Sequence, residues 1–234
     1  MRAIFKKEIN QYFHSIVGYV FLAMFALISG LFFTMQNLLS QNGDIRYFFS
    51  GMVSVLMFLT PILTMRLFAE EKKIKTDQLL LTAPVSLTGI VMGKFLAAMA
   101  IFGIGMAMTL IYPITLSFFG KVDIWVTVGN YFALAIVIGT FIAIGIFISA
   151  LTESQVVAAV VTYCVLFGLL LIGNMGSFFN NEIIIKALDY LSIFNRYGEF
   201  TIGIFNPASA LYYASIIFLF LFLTVQVLER RRWN

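Results

Sequence analysis

The sequence predicts an all-α protein that crosses a membrane six times and begins with an amphipathic helix at the membrane surface. Hydrophobic residues make up 61% of the 234 residues and charged residues 11%, whereas roughly a quarter of the residues in a soluble domain are charged. The apolar residues are gathered into six runs, each near the roughly 20 residues that a helix needs to cross a bilayer. We find no internal repeat and no soluble domain, so residues 1–234 are predicted to form a single transmembrane domain.

The first element is an amphipathic helix over residues 2–16. Apolar and aromatic side chains recur at helical spacing, and basic or polar side chains fall on the other side. This pattern is typical of a helix that lies in the headgroup region. The alternative is a charged flank of the first span, and we favour the interfacial helix because the pattern holds over four turns. The apolar set is Ile4, Phe5, Ile9, Tyr12, Phe13 and Ile16, and the polar set is Arg2, Lys6, Lys7, Asn10, Gln11 and His14.

Six spans follow the amphipathic helix. Pro113, near the far end of the long third span, predicts a kink or an interfacial tail there, because a proline inside a helix removes a backbone hydrogen bond. Only residues 152–154 separate the fourth and fifth spans, so these two helices are predicted to be adjacent and antiparallel. Asn206 and Pro207 predict the start of the sixth span, since asparagine caps helices and proline at the first helical position loses no needed hydrogen bond. The predicted spans are residues 17–39, 48–67, 89–119, 126–151, 155–178 and 207–228.

The distribution of basic residues predicts that both termini are cytoplasmic. Eleven of the 15 Lys and Arg residues lie in the N-terminus, in the segment from the end of the second span to the start of the third, or in the C-terminus. Cytoplasmic segments of membrane proteins are enriched in these residues. Residues 179–206 are then external. Their apolar and aromatic character fits two interpretations equally well, an ordinary external cap or short helices that re-enter the outer leaflet.

The longest stretch that cannot lie in hydrocarbon is residues 66–86. The predicted cytoplasmic loop overlaps it and covers residues 69–88. Because a charge at the bilayer centre costs several kcal/mol, we expect this stretch to project into water. Its second half predicts a short helix with Thr76 as the N-cap and Pro84 as its end, and Ser86 can cap the next helix. The residues alone favour two interpretations equally, a helix that contacts a partner protein and a helix that lies on the lipid surface.

The sequence contains no recognisable enzyme site. It lacks the G-x-x-x-x-G-K-[ST] phosphate loop, and with one cysteine, Cys164, and one histidine, His14, it cannot form a thiolate cluster, a two-histidine metal site or a nucleophile–histidine–aspartate unit. The spans hold almost no ionisable residue except Lys94, which we expect to snorkel to the interface. This lack disfavours an ion-coupled carrier. The net charge of +4 follows membrane topology and does not indicate nucleic-acid binding.

Several sequence runs resemble the permease subunits of type-2 ATP-binding-cassette (ABC-2) transporters, and most of all the small permeases associated with gliding motility and with nitrous-oxide-reductase maturation. The runs are RLFAEEKK at 66–73, LLLTAPVS at 79–86, GKFL at 93–96, SALTESQ at 149–155 and LSIFNRY at 191–197. The chain departs from this pattern in two places. Lys75 stands where relatives often have glycine before a threonine, and Ile193 stands where a proline is common.

The resemblance implies a type V exporter-like arrangement, with a connecting helix at 2–16, a coupling helix in the loop after the second span, and external or re-entrant helices before the sixth span. Its function would be ATP-driven movement of a substrate, usually outward, across a bacterial cytoplasmic membrane. Two permease subunits, expected to be a homodimer, would work with two cytoplasmic ATPase subunits that bind ATP and Mg²⁺, and with an accessory membrane or extracytoplasmic protein in some systems. This chain would bind no cofactor itself.

The resemblance also implies which residues of the coupling loop dock onto the ATPase. The predicted docking residues are Glu70, Glu71, Lys72, Thr76, Asp77, Leu79, Leu80, Ala83 and Pro84. The main alternative function is a non-transporting membrane scaffold that anchors an ATPase or a motility or secretion complex.

Overall fold

The computed structural model describes residues 1–41, 43–78, 85–119, 123–174, 192–201 and 206–233, and all regular structure within these ranges is helical. The helices are α1 (Arg2–His14), α2 (Ile16–Phe33), α3 (Arg46–Thr64), α4 (Arg66–Lys73), α5 (Leu87–Thr109), α6 (Ile111–Ser117), α7 (Ile124–Leu151), α8 (Gln155–Asn174), α9 (Ile193–Thr201) and α10 (Pro207–Trp233). A π-helical turn over Thr34–Leu39 extends α2.

The six predicted spans are confirmed. Six helical stretches of the described chain are long and apolar enough to cross a membrane, and the second and third of them each combine two consecutive helices. Both termini lie at the same end of the bundle, because Lys7 of α1 pairs with Glu71 and Arg231 of α10 pairs with Asp77. The stretches are Ile16–Leu39, Arg46–Lys73, Leu87–Ser117, Ile124–Leu151, Gln155–Ile172 and Pro207–Arg232.

Local sequence signals fix several helix ends. The kink predicted from Pro113 is confirmed, since α5 ends at Thr109 and α6 begins at Ile111; the proline has no N–H to donate to the Thr109 carbonyl four residues earlier. The Ser86 hydroxyl accepts a hydrogen bond from the Gly89 N–H and caps α5 as predicted. At the start of α10, the Asn206 side-chain oxygen likewise accepts the N–H of residue 208.

Helix α7 is the centre of the bundle and packs against α3, α4, α5, α8, α9 and α10. In its most apolar window 78% of the residues are buried, against 17% for α8 and 22% for α10. Because lipid is as apolar as a protein core, hydrophobic side chains cover all sides of the spans, and their sequence does not show which side faces protein. The burial shows that α7 is surrounded by protein and that α8 and α10 form the periphery.

The predicted amphipathic helix is confirmed as α1, which packs against α5 and α2. Its inner face consists of Ile4, Glu8 and Tyr12, one residue from each successive turn. Ile4 lies so close to Gly93 of α5 that a Cβ at Gly93 would come within 2.9 Å of its side chain. The interfacial position of α1 remains a prediction, and its tight contact with α5 ties it to the third span.

Helix α9 is the described part of the predicted external segment, and residues 175–191 and 202–205 lie outside the described residues. The Tyr197 hydroxyl donates to the carbonyl of Phe49 in α3 (3.2 Å), and Tyr197 is buried. The ring of Phe194 lies 6.0 Å from the ring of Phe141, which is well inside α7. Helix α9 therefore packs among the spans through its buried face.

The expectation that all of residues 66–86 projects into water is wrong for α4. Leu67, Phe68 and Ala69 are buried, and so are the charged Glu71 and Lys72, each 5% exposed. The expectation treated each charge singly, whereas the structure pairs these two side chains with other groups of the protein. A charge that has a partner and hydrogen bonds can be buried at far lower cost than an isolated one.

Helix α4 ends in a left-handed residue, Lys75, with φ of 57°. The Thr76 N–H donates to the Glu71 carbonyl (2.9 Å) and the Lys75 N–H to the Lys72 carbonyl (3.1 Å). This pair of bonds is the Schellman motif, whose left-handed position favours glycine. Lys75 is therefore held in a conformation that is unfavourable for a residue with a side chain.

We expect Lys75→Gly to stabilise the protein by about 0.5–1 kcal/mol. Glycine removes the strain of the left-handed conformation, and this gain is larger than the cost of the extra conformational entropy that glycine gives the unfolded chain. The measurement is the midpoint of unfolding in detergent. Lys73→Gly is the matched control, since it removes the same charge two residues earlier at a helical position. It should destabilise by about 1 kcal/mol. Equal effects of the two variants would contradict the prediction.

Candidate functional site

A buried lysine joins three helices at the basic end of the bundle. Lys94 of α5 is 1% exposed. Its Nζ lies 2.7 Å from a carboxylate oxygen of Glu8 in α1 and 2.9 Å from one of Glu71 in α4. It also donates to the Leu67 carbonyl (2.6 Å) and lies 4.9 Å from the centre of the Phe68 ring. We call Glu8, Glu71 and Lys94 the ion cluster.

The ion cluster corrects the expectation that Lys94 snorkels to the interface. Its ammonium group points into the protein, where two carboxylates and a carbonyl replace the water it would otherwise seek. A cavity of about 10 Å³ beside the cluster is large enough for about one water molecule. A buried charge group of this kind is costly to break, because removing Lys94 takes away the ammonium group that lies between two buried carboxylates.

Further polar contacts tie α1 to α3 and α4. The Lys7 ammonium, half exposed, forms an ion pair with Glu71 (2.7 Å). Arg66 pairs with Glu70 one turn along α4 (2.7 Å) and donates to the Ser15 hydroxyl (3.1 Å). The Tyr12 hydroxyl donates to the carbonyl of residue 63, near the end of α3 (3.0 Å), and burial raises the pKa of Tyr12 well above its usual range. Helices α1, α4 and α5 are therefore held together by charge-assisted bonds at this end.

Helix α4 also lies on the end of α7. The Ser149 hydroxyl of α7 contacts the backbone in the first turn of α4. It accepts hydrogen bonds from the N–H groups of Phe68 and Ala69 (both 3.1 Å). One residue later, the carbonyl of Ala150 accepts a hydrogen bond from the Lys72 ammonium. These bonds attach both ends of α4 to α7, the central helix.

The basic end of α10 completes this surface. The Arg231 guanidinium lies 3.3 Å from Asp77, which follows α4, and 3.1 Å from Glu153, which lies in the turn between α7 and α8. Asp77 is 8% exposed, so its pairing is largely shielded from solvent. Arg231 of α10 thus connects the segment after α4 with the turn between α7 and α8.

The profile of the ABC-2 family transporter proteins matches residues 2–228 of the chain. The chain belongs to the ABC-2 transporter family. The family comprises membrane components of transporters, whose ATPase is in general a separate subunit, and the match confirms the family resemblance found in the sequence. No curated protein matches the chain in a sequence comparison.

The docking residues predicted for this ABC-2 protein have different environments. Glu70 pairs with Arg66 and is partly exposed. Glu71 and Lys72 are buried in internal contacts, and Asp77 is paired with Arg231. The Thr76 hydroxyl donates to the Glu71 carbonyl (3.3 Å), and the next two residues, 77 and 78, are helical. The remaining predicted residues, Leu79, Leu80, Ala83 and Pro84, lie outside the described residues.

Sequence reasoning missed the roles of Glu8, Ser149 and Arg231 in this site. For Glu8 a signal was available. It is four residues from both Ile4 and Tyr12, so helical spacing places a carboxylate in the middle of the apolar face of α1. A charge in that position indicates a buried partner. For Ser149 and Arg231 the sequence contains no such signal, because their contacts depend on how α7 and α10 pack against α4.

Proposed function

We propose that the chain is the permease subunit of an ABC transporter, driven by a separate cytoplasmic ATPase subunit that docks on the segment from Thr76 to Pro84. The observation that carries the proposal is the position of α4, which runs directly into this segment. Helix α4 is held to α1 and α5 by the ion cluster and to α7 by Ser149 and Lys72. A partner bound to the segment acts on four helices at once.

The proposed mechanism is mechanical coupling. When the ATPase subunits close on ATP and Mg²⁺, they move the docking segment, and α4 moves with it because both its ends are attached to other helices. Packed helices shift as units and do not bend continuously, so a small displacement at the docking segment becomes a movement of whole spans. Since Glu71 and Lys72 are buried, we assign them to this transmission, and we assign contact with the ATPase to Leu79, Leu80, Ala83 and Pro84.

The remaining parts of the proposal follow the family pattern. We propose a homodimeric permease of the type V exporter kind in a bacterial cytoplasmic membrane, related to the gliding-motility and nitrous-oxide-reductase-maturation group. It would move its substrate outward and, in some systems, act with an accessory protein. The low burial of α8 in a single copy leaves a face that a second copy can cover. The packing of α9 against α3 and α7 supports a re-entrant external segment.

The test is purification of the chain from its native host in mild detergent, with identification of co-purifying proteins, an ATPase assay and the mass of the complex. We expect an ATPase subunit in a complex of two permease and two ATPase chains. A Leu80→Asp, Pro84→Gly double variant should lose the ATPase, because a charge disfavours an apolar contact and glycine lacks the backbone restriction that proline imposes.

The matched control is Leu39→Asp, an exposed leucine at the opposite end of the bundle, which should keep the ATPase bound. An intact wild-type protein that brings down no ATPase would contradict the proposal and favour a self-sufficient carrier. Retention of the ATPase without any ATP-dependent flux would favour the scaffold.

A further inference from the structure

We propose that the Ser149 hydroxyl forms a hinge between α3 and α4 and is a positioning residue that transmits movement of the docking segment to α7. The transmission role rests on the proposed function, since it requires that a partner protein moves the segment after α4. The hydrogen bonds from which the hinge is argued all lie within the described residues.

The hydroxyl of Ser149 occupies a gap in the backbone hydrogen bonds between α3 and α4. In a continuous helix the Ala69 N–H would donate to the Met65 carbonyl, four residues earlier. Here the Ala69 N–H donates to Ser149 Oγ (3.1 Å), and Ser149 Oγ donates to the Met65 carbonyl (3.0 Å). The Phe68 N–H is a second donor to the same oxygen (3.1 Å). The one hydrogen and both lone pairs of the hydroxyl are therefore used.

The sequence before this gap favours a bend. Pro61, inside α3, has no N–H and crowds the carbonyl four residues earlier. The hydroxyls of Thr60 and Thr64 donate to the carbonyls of residues 56 and 60, an arrangement that bends helices. A side chain inserted into a helical hydrogen-bond ladder is itself a recognised cause of a kink. The proposed hinge therefore follows directly after three residues that favour bending of a helix.

The position of Ser149 makes the hinge a connection to the core of the protein. Ser149 is itself fully buried, near the end of the central helix α7. Lys72 lies near the far end of α4, and its ammonium group donates a hydrogen bond to the Ala150 carbonyl. When α4 turns about the hinge, Lys72 moves with it and acts on Ala150 through this bond. Both attachments are adjacent residues of α7, so rotation of α4 acts directly on α7.

The same backbone can form a second arrangement. If the Ser149 hydroxyl withdraws, the Ala69 N–H and the Met65 carbonyl can bond to each other, and α3 and α4 become one continuous helix. In this second arrangement the Phe68 N–H, which also donates to Ser149, would donate to the Thr64 carbonyl four residues earlier. Both backbone donors that now bond to Ser149 then have an acceptor, which is what a two-state switch requires. Removing the hydroxyl should favour the continuous helix.

The test measures the hinge and the coupling separately in the full-length protein. For the hinge, spin labels are placed at Lys73 and Glu229, both exposed, in a Cys164→Ala background, and labelled chains are diluted with unlabelled ones. We expect Ser149→Ala to shift the label distance out of the wild-type distribution and Ser149→Thr to keep it. Thr140→Val is the control, because Thr140 is equally buried in α7 but its hydroxyl bonds only within its own helix.

For the coupling, ATP hydrolysis is measured on the complex purified with each variant. We expect the Ser149→Ala permease to retain its ATPase subunit while ATP hydrolysis falls to the rate of the ATPase subunit alone, and Ser149→Thr to restore it. A loss of stability alone would not separate binding from hydrolysis in this way.

An unchanged label distance in Ser149→Ala overturns the hinge, whatever the ATPase does. A shifted distance with normal hydrolysis overturns the transmission role. If the wild-type protein binds no ATPase, the proposed function is contradicted. The spin-label distances then still decide whether the hinge exists. If Ser149→Ala does not fold, Pro61→Ala tests the same hinge by relieving the bend, and an unchanged distance there overturns the proposal.

Discussion

Lys94→Met is expected to destabilise the protein by about 3–5 kcal/mol, the cost of removing one partner from a buried ion pair. Methionine nearly preserves the volume of the side chain, so the loss comes from charge. Glu8 and Glu71 would remain buried within a few ångströms of each other without the ammonium group that now lies between them. The measurement is the free energy of unfolding in detergent micelles, followed by tryptophan fluorescence.

Two comparisons isolate the ion cluster as the cause. Lys73→Met removes an exposed lysine of α4 and should change stability by less than about 0.5 kcal/mol. Adding Glu8→Gln to Lys94→Met removes one of the orphaned charges and should recover part of the loss, while Glu71 keeps its pair with Lys7. If Lys94→Met were no more harmful than Lys73→Met, Lys94 would not be held as the structure describes.

Gly145→Leu is expected to prevent α3 and α7 from packing and to cost at or above the upper end of the roughly 1–3 kcal/mol typical of overpacking. A Cβ added at Gly145 would lie 2.8 Å from the Cβ of Thr64 and closer still to its hydroxyl oxygen. Thr64 is fully buried and is the last residue of α3, so neither helix can move away without disturbing the core. The measurement is the yield of monodisperse protein together with its unfolding midpoint.

Gly129→Leu is the matched control, since Gly129 lies in the same helix and a Cβ there would meet nothing within 4 Å. Its cost should not exceed about 1 kcal/mol. Thr64→Gly should partly rescue Gly145→Ala, because it removes the side chain that the new methyl group meets. Equal tolerance of leucine at both positions would mean that α3 and α7 are farther apart than described.

The sequence was sufficient for the elements whose determinants are local. Hydropathy located the six spans, and their ends followed from residues a few positions away, as with Ser86, Asn206 and Pro113. The family resemblance was likewise confirmed, because it rested on runs of residues spread over nearly the whole chain. These signals are short-range or cumulative, and neither kind requires knowledge of which helices touch.

The errors came from charges whose partners are distant along the chain. Lys94 looked isolated because Glu8 is far from it in sequence, and an isolated lysine in a span is best placed at the interface. Glu71 and Lys72 looked solvated for the same reason. Ser149 carried no signal at all, since a serine near the end of an apolar helix most often bonds within its own helix.

The pairing of Asp77 with Arg231 also has a consequence for biogenesis. Asp77 leaves the ribosome with the second of the six spans, whereas Arg231 belongs to the last of them, so a nascent chain inserts most of its helices before this bond can form. The surface next to Asp77 is therefore completed only after the sixth span has been synthesised. If an ATPase docks there as proposed, it would bind copies that contain the sixth span in preference to copies that stop before it.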